Sequence, residues 1–538
     1  MFYLHQVIDL TAAATNHARL VRRRVPPYVL WPSVLVIVLM ALPLFYMFLR
    51  AFQADWETVQ RLVFRPRNLD LMINTLRLMF GVTALCTVIA LPLAWLVAKT
   101  DLPGRRWVTL LAVMPLAVPG YVMAYALLSV GGFHGVSAQW FDIRLPRIQG
   151  YWGATIALAL YTFPYLFLNL RAALYGLDAN LEESAASLGY SRWQILRSVT
   201  LPHLLPALLA GWLVILLYTL GDFGAIALMR YEVFSYAIYT QYSGATDRIY
   251  AAWLSLMLLS LALCFVAIEA LVVHKKKYAR TGSGAARQAP LFRLGLWAIP
   301  AWLFVIAVAL VSLGLPATIL TYWLLLSPPD ISFFMDVPVT FLKSASAAIP
   351  AAVIAALLAI PVAYLSVRYP SRLSAAVERA AYIGYSIPPL TLGLALVFFA
   401  LHSAQFLYQT LPLLILGWIM ATLALAIGPI RSSLLQTRPN LEESAQSLGH
   451  SPLSTFVRVV MPRLRRGVVT GVVLVFVFLM KELPITFMLA PTGYDTLAVT
   501  VFTRTSEGMY AEAAPFAAAI VVFSSLTVAL MLSNEGKR

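Results

Sequence analysis

Charge is scarce in this chain of 538 residues: 12% of it is Asp, Glu, Lys or Arg, against roughly 25% in soluble domains, and 61% is hydrophobic. A soluble protein of this size cannot bury that much apolar surface. Cysteine is nearly absent; Cys86 and Cys264 sit in separate apolar runs, which excludes a disulfide framework and a thiolate zinc cluster and leaves them as small hydrophobes between helices. The seven histidines are scattered and offer no soft-metal site. No GxxxxGK[ST] phosphate loop occurs, and Gly536-Lys537 is no substitute, so the chain holds no ATP cofactor of its own and is not expected to be an enzyme. Without HExxH, GxSxG or a His–Asp cluster in the apolar runs, intramembrane hydrolysis has no machinery either.

What the chain has instead is long apolar runs. A membrane-crossing helix needs about 20 such residues. Twelve runs qualify, near 28–49, 73–98, 108–130, 151–175, 204–228, 251–273, 294–319, 344–367, 377–401, 411–434, 467–490 and 512–533. The first follows Arg19, Arg22, Arg23 and Arg24 but exceeds the 7–15-residue core of a secretory signal, so it reads as a span behind a cytoplasmic tail, 1–27. The predicted fold class is an all-α polytopic membrane protein.

A net charge of +16 raises nucleic acid as a partner until it is located. With the N-terminus inside, 27 of the 39 basic residues fall on the cytoplasmic side, while 13 of the 23 acids fall outside. The excess is therefore an orientation signal and a contact with anionic lipid of the bilayer. It puts both termini in the cytoplasm and leaves no case for nucleic acid.

The chain also repeats itself. LEESAASLG at 181–189 recurs as LEESAQSLG at 441–449, and at the same offset Arg171 matches Arg431, Asn180 Asn440, Pro202 Pro462 and Gly211 Gly471. Upstream the offset grows by nine, pairing LPLAWLVAK at 91–99 with IPVAYLSVR at 360–368 and Pro119 with Pro388, as a longer outer loop near 131–150 would require. Six spans per copy is even, so the copies are parallel and both repeated loops face the cytoplasm. The predicted organisation is a first repeat over 28–273, a basic flexible linker over 274–293 carrying Lys275, Lys276, Lys277, Arg280, Arg287 and Arg293, and a second repeat over 294–538.

Each repeated loop, about 179–203 and 439–463, predicts two short helices forming a knob. Asn180 with Glu183, and Asn440 with Glu443, have capping-box spacing; Gly189 and Gly449 suit a left-handed helix end. Ser191 with Gln194, and Ser451 before Pro452, suit the start of a second helix, which ends near Pro202 or Pro462. Two near-identical knobs suggest two equivalent contacts with a duplicated partner.

Glu183-Ser184-Ala185, then Gly189, Val199 and Leu201-Pro202, resembles the EAA loop of ABC importer permeases, and Glu443 through Met461-Pro462 keeps the spacing. Ser replaces the first Ala, Val replaces Ile, and Met461 replaces Leu. With the layout of twelve spans in two halves, the resemblance covers nearly the whole chain. It implies two six-helix type I permease repeats in the bacterial cytoplasmic membrane, served by two copies of an ABC ATPase that uses the ATP and by an extracytoplasmic binding protein. It also implies that Glu182, Glu183, Ala185, Gly189 and Pro202, with Glu442, Glu443, Ala445, Gly449 and Pro462, belong to the ATPase coupling loops.

Inside the spans, Asp222, Lys481, Glu482 and Glu269 are the ionisable residues that need an explanation. Asp222 and Glu482 match across the repeats, each eleven residues past Gly211 or Gly471, about 16 Å along a helix, in the outer half of the bilayer. Asp222, Lys481 and Glu482 are candidates for the substrate path, where paired carboxylates would attract a cation. Alternatively, the carboxylates cap broken helices beside Gly221 and before Pro484, or Glu482 pairs with Lys481. Glu269 faces the basic linker and receives no role. The segments around Asp222 and Glu482 resemble fused ferric-iron importer permeases, which implies ferric iron, a hard cation preferring oxygen. Permeases for thiamine, polyamines and phosphonates share the layout, and an ion-driven secondary transporter with Asp222 and Glu482 as proton carriers is the alternative from another class.

Overall fold

The structure, a computed structural model, describes residues 25–133, 135–177, 179–244, 248–274, 291–327 and 331–535. Most of the predicted tail and linker, and the side chain of Glu269, lie outside the described residues. The described chain is helical almost throughout, as backbone in lipid must be when it has no strand partners. Several hydroxyls in the spans donate back to the preceding turn, as Thr75 does to Leu71 O (2.7 Å) and Thr422 to Trp418 O (2.6 Å).

Among the described residues, nine helices are long and apolar enough to cross a membrane, or up to eleven if each of two bent pairs counts as one span. Twelve were expected. The run at 467–490 falls short because Met461–Leu479 carries Arg463, Arg465 and Arg466 in its first turns. The two bent pairs are Arg105–Ala117 with Gly120–Val130, at 92°, and Arg372–Ser386 with Pro389–Ser403, at 103°. Both bend at the matched prolines. Pro119 and Pro388 have extended backbone (ψ 154 and 130), and neither can donate the hydrogen bond that would continue the helix.

The chain divides into two compact units that cut across the sequence repeats. One gathers the described parts of 1–64, 238–259 and 334–499. In it the first span, Pro27–Ala51, packs on Arg372–Ser386 and Pro389–Ser403 of the second repeat. Gly384 admits the Met40 side chain, whose sulfur would stand 2.6 Å from any Cβ added there, and Tyr46 meets Phe399 edge-on at 5.2 Å. The N-terminal end of the span is tied by Tyr28, whose hydroxyl donates to Pro452 O (3.1 Å).

The other unit gathers the described parts of 65–237, 260–333 and 500–538. Here the span that opens the second repeat, Gly295–Leu325, belongs with the first repeat: Leu315–Leu325 packs on Gly120–Val130 and on Tyr510–Glu535. Just before that span, Phe292 exchanges backbone hydrogen bonds with Lys99 and Asp101 (2.8 and 3.1 Å), and the Asp101 carboxylate accepts from Leu294 N (2.9 Å). The end of the linker is thus clamped to the turn that follows Pro66–Lys99.

Within each unit the same close contact joins the fourth and fifth spans. Gly211 faces Leu166, and Gly471 faces Ala426, the residue matched to Leu166. A side chain at either glycine would drive the helices apart.

Candidate functional site

The repeated loops form knobs as predicted, with one difference at their start. In the second copy the first helix is Asn440–Ser447, capped by Pro439 without a side-chain hydrogen bond. Asn440 therefore lies inside the helix and not at the cap position expected of it. Pro439, with φ fixed near −57, already takes the helical turn, and its carbonyl accepts from Glu442 N and Glu443 N, so the helix begins one residue early. In the first copy the helix is Ala179–Ser187, which likewise places Asn180 inside it.

The ends of these helices follow the sequence. Gly189 and Gly449 are left-handed, with φ of +84 and +88. Around them Tyr190 N donates to Ala185 O and Gly189 N to Ala186 O, and His450 N and Gly449 N do the same to Ala445 O and Gln446 O. The second helices start on Ser191, in a reciprocal box with Gln194 (2.8 and 3.4 Å), and on Ser451, which accepts from Ser454 N. Both then pass through one wide, π-type turn, Leu196–Thr200 and Phe456–Val460, just before Pro202 and Pro462. Wide turns at matched positions accommodate the missing proline N–H and often mark functional sites.

The knob residues divide into two sets. Glu183, Gly189, Glu443, Gly449 and Pro462 are exposed, and Pro202 is half-buried. Beside the glycines Leu188 and Leu448 stand 77% and 82% exposed, an apolar tip on each knob. Glu182, Ala185, Glu442 and Ala445 turn inward instead. Glu182 accepts from Lys99 Nζ (2.9 Å) and Thr200 Oγ1 (2.9 Å). Glu442 accepts from Arg368 Nε (2.8 Å) and the Tyr364 hydroxyl (2.8 Å). Sequence reasoning missed these partners. The signal was present, since Lys99 and Arg368 are the only charged residues in the matched segments LPLAWLVAK and IPVAYLSVR.

The intramembrane carboxylates sit where the fifth spans break. After Leu201–Gly221, Asp222 accepts from Ala225 N (3.0 Å) and Ile226 N (3.3 Å) through Oδ1, starting the short helix Gly224–Leu228. Its Oδ2 accepts from the Tyr161 hydroxyl (3.0 Å). Glu482 is buried and accepts from Ile485 N (2.7 Å), Thr486 N (3.0 Å), Thr486 Oγ1 (2.6 Å) and Trp418 Nε1 (3.0 Å), starting Pro484–Leu489. Each carboxylate thus caps a broken helix and takes one further bond from an aromatic side chain of the fourth span, which is the capping alternative read from the sequence. Lys481 is half-buried beside Glu482.

In each repeat the break in the fifth span meets the break in the third. Gly224–Leu228 packs on Gly120–Val130, and Pro484–Leu489 on Pro389–Ser403. A Cβ on Gly120 would lie 2.5 Å from the Tyr161 ring and 3.1 Å from Asp222 Oδ2. Irregular backbone at membrane depth is tolerated where protein or a wet cavity satisfies it, and here the packed breaks and the capping carboxylates do so. Among the described residues no group of three or more His, Cys, Asp or Glu is placed to hold a metal ion.

Comparison with known proteins agrees with the repeated architecture. The family described as "Binding-protein-dependent transport system inner membrane component" matches twice, over residues 90–279 and 332–535. The chain is 30% identical over 517 residues to an Fe(3+)-transport system permease protein of Haemophilus influenzae, covering 94% of this chain and 98% of that protein. It is 31% identical over 195 residues to the sulfate transport system permease protein CysT of Escherichia coli (36% of this chain, 69% of the relative). It is 33% identical over 152 residues to the molybdenum transport system permease protein ModB of the same species (27% of this chain, 66% of the relative). With two family matches that together span most of its length, the chain belongs to this family of multi-pass membrane permeases of ABC importers, whose members work with a substrate-binding protein and an ATPase.

Proposed function

We propose that this chain is the membrane path of an ATP-driven importer for ferric iron, with both permease halves fused in one polypeptide. An extracytoplasmic binding protein delivers the iron. Two copies of a separate ATPase seat on the two knobs from the cytoplasm, and both termini of the chain lie on that side. The observation that carries the choice of cargo is the end-to-end match with the Haemophilus Fe(3+) permease; the sulfate and molybdenum relatives align with only 36% and 27% of the chain.

The exposed Glu183 and Glu443, with the apolar tips Leu188 and Leu448, form the ATPase contact in this reading. When the ATPases close they push on both knobs, and the path opens alternately to each side of the membrane. The paired breaks line that path. Capping by Asp222 and Glu482 engages their oxygens with helix N–H groups, so the cargo crosses without a strong ligand set, which suits a pathway that must release what it admits. Of the candidates there, Lys481 and Glu482 adjoin the second break and Asp222 the first.

The test is uptake into proteoliposomes containing the chain, its ATPase and its binding protein. Ferric iron should enter only with internal ATP and loaded binding protein, while sulfate and molybdate should not. Uptake of either oxyanion in place of iron, or iron uptake driven by a proton gradient without ATP, contradicts the proposal.

A further inference from the structure

We propose that the ion pairs Lys99–Glu182 and Arg368–Glu442 are struts that lock each knob to the cytoplasmic end of its repeat's second span. Motion of the knob then reaches the membrane instead of being lost as rotation of a loop. Glu182 and Glu442 are thereby positioning residues rather than contacts to the ATPase. The inference rests on the coupling role proposed above and adds the element through which that coupling passes.

Three observations carry it. First, the pairs are equivalent but independently built. Lys99 and Arg368 match at the upstream offset, Glu182 and Glu442 at the downstream one, and both pairs close at 2.9 and 2.8 Å. Their surroundings differ: Thr200 supports the first carboxylate and Tyr364 the second. A kept ion pair with exchanged neighbours indicates that the link itself is what both repeats require.

Second, the pairs are shielded. The side chains of Arg368 and Glu442 are only 12% and 9% exposed, and those of Lys99 and Glu182 13% and 21%. Shielded pairs of this kind are far less weakened by salt than surface pairs, and losing one partner leaves a costly charge behind.

Third, the second helix of each knob runs on into the fifth span, whereas the first helix has the strut as its ion-paired link to the second span. The first knob helix packs chiefly on the second helix of its own loop, Asn440–Ser447 against Pro452–Thr455 and the wide turn after it. The strut reaches outside the loop. Arg368 also donates to Thr437 O (2.8 Å), holding the chain where it enters the knob, and Lys99 lies in the turn clamped by Phe292. On the other side of each knob the wide turns at Leu196–Thr200 and Phe456–Val460 interrupt the regular helix before it continues as the fifth span. A shielded ion pair on one side and an interrupted helix on the other give a push on the knob a direct route into the second span.

The experiment measures iron taken up per ATP hydrolysed in the reconstituted importer, together with retention of the ATPase during purification. The variant Lys99→Ala with Arg368→Ala should retain the ATPase, because Glu183, Glu443 and the apolar tips are untouched, and should hydrolyse ATP. Uptake per ATP should fall about tenfold, within the range by which coupling residues act. Exchanging the charges in both pairs (Lys99→Glu with Glu182→Lys, Arg368→Glu with Glu442→Arg) should restore at least half of the ratio. A second readout needs neither cargo nor ATPase. Spin labels at Ser447→Cys and Leu373→Cys, in a Cys86→Ala, Cys264→Ser background, should show a distance distribution at least twice as wide with Arg368→Ala and unchanged with Arg368→Lys. An unchanged uptake ratio overturns the proposal, as does an unchanged distribution. Loss of the ATPase from the alanine variant overturns it too, since the pairs would then be seating the ATPase rather than transmitting its motion. Failure of the underlying coupling role looks different: the unmutated chain itself would retain no ATPase, and the strut proposal would fall with it.

Discussion

Replacing Glu482 separates its two possible roles, helix cap and cargo ligand. Its carboxylate accepts from Ile485 N, Thr486 N, Thr486 Oγ1 and Trp418 Nε1, and the residue is only 6% exposed. Glu482→Ala strips the acceptor from all of these donors at a site water does not readily reach. A buried donor left without its partner costs roughly 1–3 kcal/mol, and part of the loss is recovered when the Thr486 hydroxyl turns wholly to Glu482 O, so the net destabilisation should be about 3–5 kcal/mol. For a unit of this size, with unfolding entropy near 2 cal/mol/K per residue, that corresponds to a fall in Tm of about 5–10 °C. Glu482→Gln is the sharper variant. It keeps one oxygen for Ile485 N but points an NH2 group at the Trp418 and Thr486 donors, so about half the loss should remain. The assay is thermal unfolding of the purified protein in detergent by intrinsic fluorescence, run beside iron uptake. The reasoning is refuted if Glu482→Ala unfolds within 1 °C of the unmutated chain. It is equally refuted if Glu482→Gln keeps the original Tm and yet loses all uptake, the pattern expected of a cargo ligand.

Other consequences follow from the same packing. Gly120→Ala places a Cβ against Tyr161 and Asp222 Oδ2, and moving Tyr161 aside breaks its bond to Asp222; a loss of about 1–3 kcal/mol should appear in thermal unfolding. Glu378→Ala leaves Arg431, paired at 2.6 Å and almost fully buried, without its counter-charge, and should cost about 3–5 kcal/mol, whereas Glu378→Leu with Arg431→Met should cost much less. Gly189→Ala with Gly449→Ala forces left-handed backbone on residues with a side chain at about 1–2 kcal/mol each. Because nothing crowds those positions, Asn at both should recover most of the ATPase retained on purification, and an Asn variant as poor as Ala would point to sterics instead.

Local chemistry was legible in the sequence where a single residue type decides the backbone. Gly189 and Gly449 end helices in the left-handed conformation, and Ser191 and Ser451 start them. The cap position moved off Asn440 for the same kind of reason, because Pro439 competes for the first turn and wins by its fixed φ. Neighbour relations were not legible. A span that is apolar on every side does not reveal which helices it will meet, so nothing in Pro27–Ala51 announced that it packs on the second repeat. The inward turn of Glu182 and Glu442 was hidden similarly. Adjacent glutamates on a short helix look alike in sequence, and only the basic residues at the ends of the second spans distinguish the anchored one from the exposed one. Asp222 and Glu482 were found by their matched positions, and the capping geometry chose between the alternatives that the sequence left open.

The account stands on the claim that two exposed knobs couple this membrane path to an ATPase. Its most direct test is uptake of radioactive ferric iron by cells producing Glu183→Arg with Glu443→Arg, at a protein level matched to the unmutated chain. The account predicts that uptake falls at least tenfold while the variant keeps its Tm, since both side chains are exposed and the struts are intact. Uptake at the unmutated rate, with the variant protein present in the membrane, would contradict it.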